Sequence, residues 1–398
     1  MPYPPVSGGR IRVYNVIREL SHYNDIYLIS FIEDPEEKGY IEELQKHCVD
    51  VELIPVTAFS AFERIKNKIS FYIGQRTFIT APYISRLFRQ KTEEFLSKYQ
   101  IDIIQYEHSY MDVFDISCWQ EQGLKKILVQ HNLEYKLVEQ HMRANRPKVS
   151  LRKKLEEHIN YVRFRNFELR VLKNQDLCVA MSEWDRQQLT EFLPDLAEKT
   201  VVIPNGVDID YFSLSAEAVN QHILIFTGYM KYFANEDGIL WFYNEIFPRI
   251  TAEQPNIKVY IVGREPTDSV RELQEKDNRF IVTGFVNDIR DYLYKSAVFF
   301  CPLRMGSGTR LKVLEAMAAG IPMVSTSIGC EGIQVTDGDN ILMADTAEEF
   351  AAKVVALLRN DELRKRLSQS ARSLVERKYS WKRIVAEYQK ELEKLVRS

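Results

Sequence analysis

Residues 304–326 read RMGSGTRLKVLEAMAAGIPMVST, the pattern of a glycine-rich loop followed by a helix, a turn and a buried strand. Backbone N–H groups at such a helix start favour an anion by ~0.3–1 kcal/mol, and glycine lets a ligand approach the backbone closely. The alternative is a plain turn in which Thr309 caps the helix. Neither GxGxxG nor GxxxxGK[ST] occurs here, so neither a dinucleotide fingerprint nor a P-loop explains the loop. Taken alone, the loop leaves an anion site and an ordinary turn equally open.

One acid, Glu315, stands in this otherwise mostly apolar helix. Its neighbours at i−4, i+3 and i+4 are Leu311, Ala318 and Ala319. A carboxylate among such residues needs a partner, because unpaired burial is costly, and the two hydroxyls of a ribose would supply one. The alternative is an ion pair with Lys312, worth only ~0.2–0.5 kcal/mol. With the loop included, the pattern favours a ligand-binding role for Glu315.

Three cations could accompany this carboxylate. Arg310 and Lys312 fall in the first helical turn, where positive charge opposes the helix dipole and a bound diphosphate would reverse that penalty. Lys231, which follows the first strand of the second half, is a similar candidate. For each cation taken singly, a solvated surface position is an equally open alternative.

Outside this stretch, apolar strand-like runs alternate with helix-period segments. Such alternation predicts parallel sheets covered by helices, whose ligand sites lie beyond the carboxyl ends of the strands. The turn-rich stretch PNGVDIDYF at 204–212 interrupts the alternation, so we expect two Rossmann-like domains with parallel sheets facing a central cleft. The predicted strands cover 26–32, 50–56, 102–107, 125–130, 176–182, 222–228, 257–263, 279–284, 297–302 and 321–326.

The N-terminal half carries two weaker candidates. The chain begins with MPYPPVSGGR, and PYPP cannot form a central strand, so the first domain is expected to lack its usual first strand. Gly8 and Gly9 start an amphipathic helix, where they either face a ligand or form a simple turn. His131 follows the run KKILVQ, and a polar side chain at the carboxyl end of a parallel strand faces the cleft. A structural histidine is the alternative.

Composition limits the classes of partner. A net charge of −3 gives no general case for nucleic-acid binding, and the five scattered cysteines predict a reducing compartment without a zinc site. No apolar run approaches the ~18 residues of a membrane span, so we expect a cytoplasmic protein.

Asp208 and Asp337 begin Asp-x-Asp pairs in turn-rich segments, where aspartate is favoured for local hydrogen bonds, so no metal site is predicted. The basic segment 143–173 is either a solvated helix face or a contact with the inner face of a membrane.

Several segments together resemble the GT4 glycosyltransferases, the large retaining, sugar-nucleotide-dependent group with the GT-B fold. The resemblance covers essentially the whole chain and rests on YPPVSGGRIRVYNVIREL, QHNLEY, AMSEWDRQQL, VIPNGVDIDYF, TGFVNDIRDYL and GSGTRLKVLEAMAAGIPMVST. It implies a GT-B architecture whose last helix crosses back to the first domain. We therefore divide the chain into 1–203 on the acceptor side, 204–378 on the nucleotide-sugar side and 379–398 as the returning helix.

The resemblance also implies roles for individual residues. Glu315 matches the second glutamate of the family's E-x7-E motif, which binds the donor ribose, and His131 matches a histidine near the transferred sugar. Two departures are that Ser307 replaces the first glutamate, and that TGYMK replaces the usual arginine after the first strand of the second domain. The implied catalytic residues are His131 and Glu315. The implied donor-binding residues are Gly8, Gly9, Lys231, Phe285, Val286, Ser307, Gly308, Thr309, Arg310, Lys312 and Glu315.

These features predict a retaining glycosyltransferase that moves a sugar from a UDP- or GDP-sugar to a lipid-linked or polysaccharide acceptor, in cell-envelope or exopolysaccharide synthesis. No metal or other cofactor is expected, because N–H groups and cations around the diphosphate can stabilise the leaving group. A non-hydrolysing sugar-nucleotide epimerase on the same two-domain plan is one alternative. A catalytically weakened nucleotide-sugar-binding protein is the other, suggested by Ser307 and the short N-terminus.

Overall fold

Parallel strands connected by helices build both halves of the chain, as the alternating pattern predicts. The contacts between Cα atoms define two units, Met1–Ile203 together with Val385–Ser398, and Pro204–Ile384. The last helix thus ends in the first unit, as the resemblance implies. The computed structural model describes residues 1–56, 77, 80, 83, 85–113, 116–120, 122–131, 133–145, 150–214, 220–306 and 308–398.

The first unit contains two parallel sheets within the described residues, ordered β1-β2 and β3-β4-β5-β6. The runs ILVQ of β4 and LCVA of β5 are buried at every position, because strands inside a parallel sheet are covered on both faces. The elements are α1 (Gly8–Leu20), β1 (Tyr27–Ile32), α2 (Ile41–Gln45), β2 (Asp50–Pro55), α3 (Arg86–Lys98), β3 (Ile103–Glu107), α4 (Ser117–Gln120), β4 (Lys125–Gln130), α5 (Glu134–Asn145), α6 (Leu151–Lys173), β5 (Leu177–Ala180), α7 (Glu183–Phe192) and β6 (Thr200–Val202).

The N-terminal segment Met1–Ser7 forms no strand, and α1 is the first regular element. The α-ammonium of Met1 donates to the carbonyl of Phe31 in β1 at 2.9 Å. The ring of Tyr3 packs 5.2 Å from that of Tyr14 in α1, between ring centroids. These contacts attach the segment to both α1 and β1.

The second unit has one six-stranded parallel sheet in the order β12-β11-β10-β7-β8-β9. The run SAVFFC of β10 lies centrally and is buried at every position. Since all six strands are parallel, the loops that follow them meet at one edge of the sheet. The elements are β7 (Asn220–Thr227), α8 (Phe233–Trp241), α9 (Phe247–Glu253), β8 (Lys258–Val262), α10 (Asp268–Lys276), β9 (Phe280–Gly284), α11 (Arg290–Leu293), β10 (Ser296–Cys301), α12 (Leu311–Ala318), β11 (Met323–Ser325), β12 (Leu342–Met343), α13 (Ala347–Arg359) and α14 (Asp361–Lys378). The last helix, α15 (Trp381–Arg397), begins in this unit and ends in the first.

Arg372 of α14 connects the helix that carries Glu315 to the turn-rich stretch 204–212. Its guanidinium donates to the carbonyls of Phe212 at 2.6 Å, Ala318 at 2.5 Å and Ile209 at 3.0 Å. The Ala318 carbonyl lies at the carboxyl end of α12, where the helix dipole favours a cation.

We expect Arg372→Met to lower the free energy of unfolding by about 2–4 kcal/mol, because three partly buried carbonyls lose a charged donor. Urea denaturation measures the change. Arg366→Met, an exposed position on the same helix, is the matched control and should stay within about 0.5 kcal/mol of the unchanged protein. Equal losses in the two variants would contradict the bridging role of Arg372.

Candidate functional site

The loops after β7 and β8 form a close backbone contact at the carboxyl edge of the second unit's sheet. Gly228 follows β7, and Gly263 follows β8 with φ +151°. A Cβ atom on Gly263 would lie 1.7 Å from the Gly228 carbonyl oxygen, so only glycine fits there. The two strand ends therefore meet backbone to backbone, without side chains between them.

Lys312 extends from α12 toward this glycine contact. Its ammonium donates to Asn235 Oδ1 at 2.7 Å and lies 4.1 Å from the ring centroid of Phe226. A Cβ atom on Gly228 would lie 2.6 Å from the Lys312 nitrogen. Asn235 is itself fixed, since its Nδ2 donates to the Tyr229 carbonyl at 2.6 Å. Burial lowers the pKa of Lys312 to about 8. This is a cation in one defined position at the strand ends.

Glu315 lies one helical turn further along α12 and is partly buried. Burial raises its pKa to about 7, and the charge of Lys312 opposes that rise. Among the residues that the structure describes, none forms a hydrogen bond or ion pair with this carboxylate. The alternative of a Glu315–Lys312 ion pair is wrong, because the ammonium of Lys312 is directed at Asn235 instead. The carboxylate is therefore available for a ligand.

The glycine loop before α12 adopts a backbone that favours glycine. Gly306 has φ +109° and Gly308 has φ +81°, and Ser307 between them lies outside the described residues. The helix cap is Arg310 and not Thr309, so the alternative of a simple Thr309 cap is wrong. Both side chains are buried, and a Cβ atom on Gly306 would lie 3.0 Å from Arg310 Nη2. Arg310 thus lies beneath the loop rather than in solvent.

The other donor-side candidates are more exposed. Lys231 is 67% exposed and forms an ion pair with Glu265 at 3.4 Å. Phe285 is 66% exposed, and Val286 next to it is half-buried, in the loop after β9. Arg290, whose guanidinium lies 3.8 Å from the ring centroid of Tyr211, borders this loop. These residues lie nearer the surface than Lys312 and Arg310.

In the first unit, His131 lies at the carboxyl end of β4. Its Nε2 hydrogen-bonds to Glu107 Oε2 at 2.7 Å, and its ring stacks on His108 with centroids 4.5 Å apart. Burial lowers the pKa of His131, and the bond to Glu107 opposes this. Burial disfavours the charged form of Glu107 too, yet the bond to His131 and the charge of Arg12 bring its pKa below the ordinary value. His108 has its own carboxylate, with Nδ1 at 3.1 Å from Glu134 Oε1.

Gly8 and Gly9 begin α1 as expected. Ser7 is the cap residue, with no side-chain cap bond, and a Cβ atom on Gly9 would meet nothing within 4 Å. Arg12, one turn later, is 2% exposed and donates to the Ile203 carbonyl at 3.0 Å. The start of α1 is therefore anchored by Arg12 and has open space beside its second glycine.

Both aspartates of the predicted turns bond locally. Asp208 accepts hydrogen bonds from the N–H groups of Asp210 and Tyr211. Asp337 accepts a hydrogen bond from the N–H of Met343 and forms an ion pair with Lys353. Within the described ranges, no group of three or more His, Cys, Asp or Glu side chains could hold a metal ion.

The basic segment 143–173 is described only in part, since 146–149 fall outside the described residues. Helix α6 within it exposes Leu155 by 60% and Val162 by 39%. A search of the described helices finds none long and apolar enough to cross a bilayer.

Two family models match the chain. The model described as glycosyl transferases group 1 matches residues 221–360, and the model described as glycosyltransferase family 4 matches residues 39–211. A Klebsiella pneumoniae protein, described as an uncharacterized 44.6 kDa protein in cps region, is 24% identical over 98% of this chain and 97% of its own length. The phosphatidyl-myo-inositol mannosyltransferase of Mycolicibacterium smegmatis is 28% identical over 52% of this chain and 55% of its own length.

Solved structures share the fold over nearly the full chain. The sucrose-phosphate synthase of Thermosynechococcus elongatus matches with a TM-score of 0.72 at 18% identity, covering 99% of this chain and 96% of that one. Anabaena HepE in complex with UDP and glucose matches with a TM-score of 0.68 at 15% identity, covering 97% and 96%. At these identities the likeness establishes the fold.

Proposed function

We propose that this chain, which belongs to the GT4 group of glycosyltransferases and has their GT-B fold, transfers a sugar from a nucleotide-diphosphate sugar to an acceptor hydroxyl with retention at the anomeric carbon. The observation that carries the proposal is the presence of two half-buried groups on one helix at the strand ends, the carboxylate of Glu315, which has no partner among the described residues, and the ammonium of Lys312. A nucleotide sugar has the matching groups, namely a ribose diol and a diphosphate.

In this proposal the donor binds along α12. The ribose hydroxyls donate to Glu315, and the diphosphate meets the helix start, Arg310 and Lys312. The structure of Anabaena HepE holds UDP and glucose, which supports a nucleotide-sugar donor here. Phe285 and Val286, after β9, are proposed to contact the nucleobase, and Lys231 to contribute only a screened surface charge.

The reaction breaks the bond between the anomeric carbon and the diphosphate oxygen and forms one to the acceptor oxygen on the same face, and the proton of the acceptor hydroxyl passes to the departing diphosphate. The demand on the protein is therefore to stabilise negative charge on the departing diphosphate. Fixed cations and N–H groups do this without reorganising during the reaction, which is the most effective form of electrostatic catalysis. We propose that Lys312, Arg310 and the loop at Gly308 and Thr309 supply this stabilisation and that no metal ion is required.

His131 is proposed to contact the transferred sugar. Its Nε2 is bound to Glu107, which leaves Nδ1 to meet a sugar hydroxyl. A lipid-linked or polysaccharide acceptor is supported by the relative named as a mannosyltransferase of phosphatidyl-myo-inositol. Exposed Leu155 and Val162 among the basic residues of α6 are consistent with peripheral membrane contact. The envelope role and the cytoplasmic location stay predictions.

A thermal-shift screen with UDP-, GDP- and ADP-sugars tests the donor. The correct donor at 100 times its dissociation constant should stabilise the protein by ~2.7 kcal/mol, and nucleoside monophosphates serve as controls. Release of the nucleoside diphosphate should then depend on added acceptor. Stabilisation by none of the three donors would overturn the proposal. Interconversion of the donor sugar without acceptor would favour the epimerase, which the family models do not support.

A further inference from the structure

A second buried carboxylate, Glu168 of α6, has no part in the chemistry proposed for the donor site. Its side chain is fully buried and accepts four hydrogen bonds. Its Oε1 accepts from Ser109 Oγ at 3.3 Å, Gln130 Nε2 at 2.5 Å and the Glu134 N–H at 3.2 Å. Its Oε2 accepts from the Tyr135 N–H at 2.8 Å. The partners outside α6 thus account for both oxygens.

Two of these partners are next to the imidazoles in the sequence. Ser109 directly follows His108 in the loop after β3, and Gln130, the last residue of β4, directly precedes His131. The remaining two donors are N–H groups at the start of α5, where a helix favours an anion. The first of them belongs to Glu134, whose own carboxylate holds His108. Glu168 therefore bonds to the residues next to His108 and His131 and to the start of α5, which carries the carboxylate partner of His108.

The loop at His108 is strained, and its neighbours must hold it. His108 has φ +89° and ψ +145°, a backbone that costs a non-glycine residue about 1–3 kcal/mol. Its ring lies between two others, 4.5 Å from His131 and 5.0 Å from Tyr110 by ring centroids, at interplanar angles of 25° and 9°. A carboxylate that binds the next residue, Ser109, acts directly on this strained turn.

We propose that Glu168 is a positioning residue, which fixes the loops after β3 and β4 so that His108 and His131 stack and each faces its own carboxylate. Burying an ionisable group is costly, and an apolar side chain of similar size is often neutral or better at such a site. Packing alone therefore does not explain a carboxyl group that accepts from four donors, in the loop after β3, at the end of β4 and at the start of α5. The inference rests on the proposed function in one respect, namely that His131 contacts the transferred sugar.

The matched pair of variants is Glu168→Gln and Asp176→Asn. Asp176 also accepts a backbone N–H beside β4, from Lys126 at 2.7 Å, but at the amino end of that strand. Both changes convert a carboxyl group to an amide of nearly the same shape. With labelled histidine, NMR reports the ring signals and titrations of His108 and His131. We expect both sets of signals to shift in Glu168→Gln and to stay in place in Asp176→Asn.

Kinetics give the second measurement. We expect kcat to fall about 10- to 100-fold in Glu168→Gln with donor KM unchanged, because small misplacements of a group beside the substrate are expensive. If Glu168→Gln does not fold, Ser109→Ala removes one of the four donors at low cost and should still shift the His108 signals. Histidine signals that coincide with those of the unchanged protein would overturn the proposal. If the signals shift while kcat is unchanged in both Glu168→Gln and His131→Ala, the positioning role stands and the proposed role of His131 fails.

Discussion

Replacing Glu315 with glutamine is expected to weaken donor binding by about 2–4 kcal/mol, roughly 30- to 1000-fold in the dissociation constant. Glutamine keeps the shape of the side chain but loses the charge that strengthens hydrogen bonds from the two ribose hydroxyls. Titration calorimetry with the donor identified by the thermal-shift screen measures the change. Glu362→Gln, at a position 89% exposed on α14, is the control and should bind normally.

The same substitution should make the donor-free protein more stable, with a defined pH dependence. The pKa of Glu315 is raised to about 7 in the folded protein from an ordinary value near 4.5. The folded state therefore binds this proton more tightly than the unfolded state, so the full stability is present below about pH 4.5 and is lost as pH rises through 7. Glu315→Gln removes that loss. Its free energy of unfolding at pH 8 should therefore exceed that of the unchanged protein by on the order of 1–3 kcal/mol.

The two effects have opposite signs, and together they identify a binding carboxylate. A merely structural glutamate would lose stability on substitution, and donor affinity would follow only through misfolding. Unchanged donor affinity in a folded Glu315→Gln would refute the ribose role. Denaturation curves at pH 5 and pH 8 separate the stability effect from any change in binding.

The fold was largely predictable from the sequence, because buried parallel strands appear as short continuous apolar runs. All ten predicted strands are present, and SAVFFC of β10 shows the reason, since every one of its residues is buried. Between β4 and β5 the sequence pattern is helix-like over 133–174, and the described residues there contain two helices, α5 and α6. The sequence signals that separate them are Pro147, which a helix interior disfavours, and Ser150, which caps α6.

The predictions about the candidate site could use only local signals. Glu315 was singled out because its helical neighbours are small or apolar, which a single helix shows. The hydrogen bond from Lys312 to Asn235 is a contact across 77 positions of sequence, and local spacing offered only Glu315 as an alternative partner. The sequence shows only an asparagine in the helix FANEDGILW, and its need for a partner becomes evident from the structure, where Asn235 is 4% exposed.

The same limit applies to the first unit. His131 could be placed at a strand end, but its carboxylate partner Glu107 lies on the neighbouring strand, and its stacking partner His108 follows that strand. Glu168 occurs in a long helix of mixed charge, where glutamate is ordinary. Strand order and helix packing bring these residues together, and a sequence pattern without the topology has no means to do so.

Lys312→Met is expected to weaken donor binding by about 1.5–3 kcal/mol at pH 7, because it removes the half-buried cation proposed to meet the diphosphate. The groups that act on Lys312 are the Cys301 thiol, the Arg310 guanidinium and the Glu315 carboxylate, and burial is the largest cause of its lowered pKa, about 8. Below pH 8 the ammonium is charged. Donor affinity should therefore fall as pH rises through 8 in the unchanged protein and should lose this dependence in Lys312→Met.

Bound diphosphate favours the charged form of Lys312, so above pH 8 donor binding should take up a proton. Calorimetry in buffers of different ionisation enthalpy measures that uptake, which Lys312→Met should abolish. Lys231→Met is the matched control, since Lys231 is 67% exposed and its charge is screened by solvent and salt. We expect it to cost less than about 0.5 kcal/mol of binding. A larger loss for Lys231→Met than for Lys312→Met would transfer the phosphate role to the surface, and the buried ammonium would then serve only to hold Asn235 in place.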